Sequence, residues 1–308
     1  MSNPTTITFS SQQGLKCEAL WYRPETNTTQ TSSGSLPCVV MAPGLGAVKE
    51  GGLDQYAEQF VNEGLAVLLF DYRYFGGSEG TPRQLLDISS QLTDWHQAVA
   101  FARSQNEVDA NKIILWGTSF SGGHVLSIAA EDRRVLGVIA QCPMLDGEAT
   151  AKVTIKETGL ASALKLVAHG VYDEFKSKFS SDPHYVPIVA KPGELGMMTT
   201  EDADPGYRAL MPAEFDNRVA ARIAVHSSQY RPVDQVHRIQ SPVMLQICDH
   251  ERIVSIDTAG EIVRRMQAPI EVKHYPLGHF DIYQGQAFQQ SISDQKQFIQ
   301  QLLQMDAH

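Results

Sequence analysis

Trp116-Gly117-Thr118-Ser119-Phe120-Ser121-Gly122-Gly123 is the stretch that decides how this chain is read. Lys112-Ile113-Ile114-Leu115 precedes it, a short apolar run rich in β-branched residues, which predicts a buried strand. His124-Val125-Leu126-Ser127-Ile128-Ala129-Ala130 follows and reads as a helix packed on that strand. Between them, Gly117, Ser121, Gly122 and Gly123 keep the turn small. A sharp strand-to-helix reversal needs this, because a larger side chain would strike the neighbouring strand or helix. Such a turn pushes Ser119 into a strained, exposed position. The start of the helix then sets backbone N–H groups and the positive end of its dipole beside the hydroxyl. These are the surroundings of a serine nucleophile. The alternative reading is an ordinary strand–loop–helix with an incidental serine.

With 308 residues, 43% of them hydrophobic, the chain can bury one large α/β core with an inserted lobe. It has no apolar run of about 18 residues, so no membrane span is expected. The first residues, Met1-Ser2-Asn3-Pro4-Thr5-Thr6, are polar and lack the apolar core of a secretion signal. Cys17, Cys38, Cys142 and Cys248 are scattered without a C-x-x-C pair and read as reduced thiols of a cytoplasmic protein. The formal net charge of −10 argues against a nucleic-acid partner. No metal-ligand spacing such as H-E-x-x-H occurs, nor a G-x-G-x-x-G or phosphate-binding loop, so neither metal nor cofactor is expected.

Ile7 to Phe9 and Leu15 to Tyr22 suggest two antiparallel strands about a turn at Gly14. Glu25 to Leu36, rich in Thr, Ser and Asn, predicts a surface loop. Cys38 to Ala42 and Leu65 to Phe70 are continuous apolar runs, as in parallel strands covered on both faces. The spacing of Leu53, Tyr56, Ala57, Phe60 and Val61 predicts a helix over 53–63 that stops at Gly64. Leu85, Ile88, Leu92, Trp95, Val99 and Ala102 predict another over 84–104. Val135 to Ala140, Ser241 to Cys248 and Ile270 to Pro276 predict further strands, and residues 283–304 a closing helix. This alternation implies a parallel sheet with right-handed crossovers. The rhythm breaks over residues 147–235, where helical patches such as Ala161 to Phe175 alternate with proline-bearing loops. Tyr172, Phe175, Phe179, Tyr185, Met197, Met198, Tyr207 and Phe215 are scattered through it. The reading is an inserted cap, a lid that shapes an apolar pocket while most of these side chains fill the cap's own core.

Gly117-Thr118-Ser119-Phe120-Ser121 resembles the G-x-S-x-G nucleophile turn of α/β-hydrolases, with Ser121 in the last glycine's place. Pro43-Gly44-Leu45-Gly46 looks like the family's H-G-x-G-like loop with the histidine replaced. Asp71 to Ser78 is similar to its D-x-R-x-x-G-x-S loop, whose role is structural. The resemblance covers residues 5–146 and 236–305. Within the superfamily the chain is most similar to the dienelactone-hydrolase-like and Xaa-Pro-peptidase-like branch. The resemblance implies an α/β-hydrolase core domain over 1–146 and 236–308, with a mostly parallel eight-stranded sheet flanked by helices. Residues 147–235 are then a mainly helical cap.

The resemblance also implies a serine hydrolase working by two-step acyl transfer. Ser119 is the nucleophile. The family order of nucleophile, acid and histidine points to His279, which follows the last strand in Leu277-Gly278-His279-Phe280. His274 sits within a strand and reads as a sheet-face side chain. His124 follows Ser119 by five positions, on another side of its helix. Cys248 to Ser255 resembles the pattern G-x-x-D-x-x-V-P. Aligned on Val254, the acid position falls on Glu251, with Asp249 as the alternative; either carboxylate can accept an imidazole Nδ1–H. The N–H groups of Leu45 and Phe120 make the implied oxyanion hole. The expected partner is a small-molecule acyl substrate: a carboxylic ester, lactone or thioester with an apolar acyl part. The rival readings are a small-peptide or amide hydrolase, an acyltransferase and a non-catalytic binder. A homodimer is the assembly held open.

Overall fold

The computed structural model describes residues 4–25 and 35–306. Of the predicted loop from Glu25 to Leu36, residues 26–34 lie outside the described residues, as do Met1 to Asn3. Strands β1 (Thr5–Ser10) and β2 (Lys16–Tyr22) form the expected antiparallel pair, Thr5 opposite Trp21 and Ser10 opposite Lys16. There follow β3 (Leu36–Ala42), helix α1 (Asp54–Asn62), β4 (Ala66–Phe70), α2 (Ile88–Ser104), β5 (Val108–Thr118), α3 (Phe120–Glu131) and β6 (Val135–Gln141). Residues 147–235 carry α4 (Gly147–Thr158), α5 (Leu160–Lys176), β7 (Tyr185–Val186), α6 (Ala203–Leu210), β8 (Val219–Ala220) and α7 (Ile223–His226). The chain closes with β9 (Val243–Cys248), α8 (Ala259–Arg265), β10 (Ile270–Tyr275) and α9 (Gly285–Met305).

One eight-stranded sheet runs in the order β1-β2-β4-β3-β5-β6-β9-β10. β1 and β2 are antiparallel to their neighbours and the remaining pairings are parallel. β5 lies inside the sheet, Trp116 opposite Met41 on one side and Ile139 on the other. Alternate residues face opposite layers, which is why these strands read as unbroken apolar runs. Val40, Leu68 and Leu115 pack with Trp95 of α2 and Val125 of α3. Met41, Leu69 and Trp116 pack with Tyr56 and Phe60 of α1 and with Phe288 and Ile292 of α9. Buried amides pin α9 to the sheet: Gln295 accepts from Trp116 Nε1 at 3.0 Å and donates to Gln141 and Gln246 at 3.0 and 2.6 Å. A buried polar cluster of this kind is favourable because its members satisfy one another.

Three details depart from the sequence reading. The helix predicted over 84–104 begins at Ile88, because the Asp87 carboxylate accepts from Ser90 N at 2.7 Å and caps it there. Gln84 is held out of the helix at φ 59°, its amide donating to the Asp216 and Arg218 carbonyls. Helix α4, which the sequence reading did not single out, starts at an Asp146 cap that accepts from Ala149 N at 3.0 Å. Third, Tyr172, Phe175 and Phe179 do not fill the lobe's core but are 55, 61 and 77% exposed. All four cysteines are buried free thiols. Among the described residues no helix is long and apolar enough to cross a membrane.

The loop from Asp71 to Ser78 is fixed by buried charge. Asp71 accepts from the Lys49 backbone N–H at 2.7 Å, from Lys49 Nζ at 2.8 Å and from Gly77 N at 3.0 Å. Lys49 Nζ also meets Glu18 and Glu50, so three carboxylates surround one ammonium. Burial drives the Asp71 carboxyl upward from its ordinary pKa, against the pull of Lys49. Arg73 is paired with buried Asp94 at 2.7 Å.

Candidate active site

The ends of β3, β5, β9 and β10 open on the same side of the sheet, since parallel strands deliver all their C-terminal loops to one edge. Ser119 follows β5 directly and has φ 55°, a conformation that costs a non-glycine residue on the order of 1–3 kcal/mol. Its backbone is held by three bonds to the neighbouring strand and helix. Ser119 N donates to the Gln141 carbonyl at 2.9 Å, and its own carbonyl accepts from Gly122 N at 3.0 Å and Met144 N at 2.9 Å. The approach is close on both sides. A Cβ on Gly117 would stand 2.3 Å from the Ser121 carbonyl oxygen, and one on Gly44 would stand 3.0 Å from the Ser119 Cβ. Ser121, the departure from G-x-S-x-G, is fully buried, its hydroxyl 2.9 Å from that of Tyr72. Tyr72 in turn accepts from Trp95 Nε1. The hydroxyl that replaces a glycine is therefore satisfied.

His279 lies in the loop after β10, its Nε2 3.0 Å from the Ser119 Oγ. Its Nδ1 is 2.7 Å from the Glu251 Oε2, and both side chains are buried, 2 and 1% exposed. A carboxylate only accepts, so Nδ1 carries a proton, and when the ring is neutral its Nε2 lone pair faces Ser119. Glu251 is itself oriented: its Oε1 accepts from the N–H groups of Arg252, Ile253 and Val254 at 3.0, 2.8 and 3.3 Å. Burial lowers the His279 pKa, but the neighbouring Glu251 carboxylate outweighs it and the ring is pushed up to about 9. The structure brings Asp249 to a different histidine. It pairs with His274 Nδ1 at 2.7 Å on the surface, where the two side chains are 39 and 58% exposed.

His124 is fully buried away from this chain of bonds. Its Nε2 donates to the Gln91 carbonyl oxygen at 2.9 Å and its Nδ1 accepts from the Tyr230 hydroxyl at 2.8 Å. Burial pulls its pKa down to about 3 and keeps it neutral. Phe120 is the first residue of α3, so its N–H has no carbonyl a turn earlier to receive it. Leu45 follows β3, and its carbonyl accepts from the Tyr207 hydroxyl of α6 at 3.0 Å. Tyr207 is thus a contact from the inserted segment to the predicted oxyanion loop. The sequence shows it only as one aromatic among several.

Two recesses meet at Ser119. The larger, about 170 Å³, is lined by Leu45, Ser119 and Phe120 from the sheet domain and by Ile155, Leu166 and Met197 from the inserted segment. The smaller, about 40 Å³, is lined by His279, Phe280, Tyr207 and Met211 among others. Met198 borders both. Ile155 and Leu166 escaped the sequence reading because their helical spacing gives no sign of which face meets a cavity.

A family model described as serine aminopeptidase, S33, matches residues 36–284. The chain is 42% identical over 303 residues to the quorum-quenching protein AidA of Acinetobacter baumannii, a match covering 97% of this chain and 95% of that protein. It is 27% identical over 307 residues to the thiohydrolase aneE of Aspergillus aculeatus, covering 96 and 93%. Its fold is similar to that of the α/β-hydrolase GrgF from Penicillium sp. sh18, with a TM-score of 0.76 at 23% identity over 97% of this chain and 99% of that one. By sequence match and by sheet topology alike, the chain belongs to the S33 serine aminopeptidase family of the α/β-hydrolase superfamily.

Proposed function

We propose that this chain cleaves a carboxylic ester, lactone or thioester of an apolar acyl group through an acyl-Ser119 intermediate. The observation that carries the reading is the bonded row Glu251, His279, Ser119 ending at the mouth of an apolar cavity. Ser119 Oγ attacks the carbonyl carbon while its proton passes to His279 Nε2. Glu251 holds the ring in the required tautomer and balances the imidazolium. The N–H groups of Leu45 and Phe120 donate to the oxyanion. His279 then gives its proton to the leaving oxygen or sulfur as the acyl bond breaks. Water, deprotonated by the same nitrogen, releases the acid and restores Ser119.

The acyl part occupies the 170 Å³ cavity, whose lining does not include His279. The leaving group occupies the smaller recess, whose lining does, because the atom that departs must take its proton from that ring. The lining favours an acyl substrate over a peptide with a free amino terminus. Among the described residues of both recesses none is acidic, so a buried ammonium would find no counter-charge. The name of the thiohydrolase relative fits a thioester among the candidates.

A fluorophosphonate probe is expected to label the protein once, at Ser119, and not at all in Ser119→Ala. A panel of aryl esters and thioesters of rising chain length, run beside aminoacyl arylamides, tests the substrate class. Turnover confined to the arylamides would replace this reading with the peptidase one.

A further inference from the structure

Among the described residues ten large apolar side chains stand exposed, and eight of them fall between Ile155 and Phe179. Along α5 they recur at Leu160, Leu164, Val167, Val171 and Phe175, with Phe179 one turn further. Steps of four and three residues keep them on one side of the helix. The exposed face also carries Ala161, Ala168 and Tyr172, and Lys165 is its charged member. A helix that turns such a face to solvent is ordinarily covered by something.

We infer that the cover is a second copy of this chain, docked α5 against α5 in antiparallel fashion across a two-fold axis. Three observations favour that occupant. The first is area. Eight side chains of this size, each 39–77% exposed, offer roughly 100 Å² apiece, or about 800 Å² together, the share one partner contributes to a standard interface. The second is self-complementarity, which a two-fold contact demands. α5 is aliphatic in its first half and aromatic at its end. An axis between His169 and Gly170 therefore sets Leu164 against Phe175 and Leu160 against Phe179. The third is charge. A lipid surface selects amphipathic helices flanked by rows of Lys and Arg, whereas α5 carries only Lys165 and Lys176, offset by Asp173 and Glu174, on a chain of net charge −10.

The second copy matters to the site. Ile155 and Val167 belong both to the exposed face and to the lining of the larger cavity, so the docked copy roofs the cavity there. That consequence rests on the cavity being the acyl site; the dimer itself does not.

The test is the mass of the full chain in solution at concentrations on the order of 10 μM, by light scattering or sedimentation. A dimer is expected, converted to monomer by Leu164→Glu with unchanged far-ultraviolet circular dichroism and unchanged fluorophosphonate labelling. The pair Leu164→Cys with Phe175→Cys is expected to give a disulfide-linked dimer under mild oxidation. A wild-type monomer at this concentration, or a dimer that survives Leu164→Glu and does not cross-link, overturns the inference. A wild-type monomer that binds phosphatidylglycerol vesicles assigns the face to lipid instead. None of these readings depends on any substrate being hydrolysed, so they stand apart from the proposed activity.

Discussion

The imidazole of His279 can take the Ser119 proton only while the ring is neutral. Glu251 holds its pKa near 9 rather than at the ordinary 6.5, so the neutral fraction grows as pH rises through that range. The rate of fluorophosphonate labelling is therefore expected to climb between about pH 7 and 9. Glu251→Gln removes the charge that raises the pKa, so the acid limb shifts to lower pH even as turnover falls by about 10³–10⁴-fold. Asp249→Asn breaks only an exposed pair with His274 and is expected to stay within about threefold of the parent. A folded but dead Asp249→Asn beside a near-normal Glu251→Gln would reverse the two roles. At this scale the sequence was informative because spacing carries geometry: Glu251 stands three residues before Val254, and its Oε1 accepts from the N–H groups that lead up to Val254. What no spacing discloses is a bond between distant loops. Tyr207 and Leu45 are far apart in the chain, yet the Tyr207 hydroxyl holds the Leu45 carbonyl.

Among the elements, α6 and the loop after β3 are joined by that one hydroxyl. Tyr207→Phe frees the Pro43-to-Gly46 loop while keeping the ring's packing. Turnover is expected to fall on the order of tenfold with KM little changed, because an oxyanion donor acts mainly in the transition state. An unchanged kcat would make Tyr207 a packing residue only. The loops after β3 and β4 meet through Lys49, whose ammonium is 2% exposed among Glu18, Glu50 and Asp71. Lys49→Met leaves Asp71 buried without its partner and is expected to cost about 3–5 kcal/mol, read from the urea midpoint at neutral pH. The sheet strands were legible because a strand covered on both faces must be apolar throughout. The start of α2 was not, because its position turns on a cap at Asp87 and on the anchoring of Gln84 by residues 216 and 218.

Across the whole molecule, the inserted segment closes over Ser119 and supplies much of the larger cavity's wall. Leu166→Trp fills that wall from α5. Turnover of long-chain aryl esters is expected to drop at least about tenfold relative to the acetyl ester, with phosphonate labelling retained. If the ranking of chain lengths stays as it was, the segment is structural and the acyl group lies elsewhere. Local pattern in the sequence by itself determined the class of fold, the turn that exposes Ser119 and the loops that bear His279 and Glu251. Each depends on periodicity, small residues or order along the chain, and these are properties of neighbours in sequence. Tertiary structure alone decided which side chains of α4 and α5 face the cavity and which are left on the surface. Leu164 and Leu166 are both leucines in the same turn of α5, yet one is 59% exposed and the other lines the cavity. The difference is a rotation about the helix axis, and that angle is fixed only by what the helix packs against.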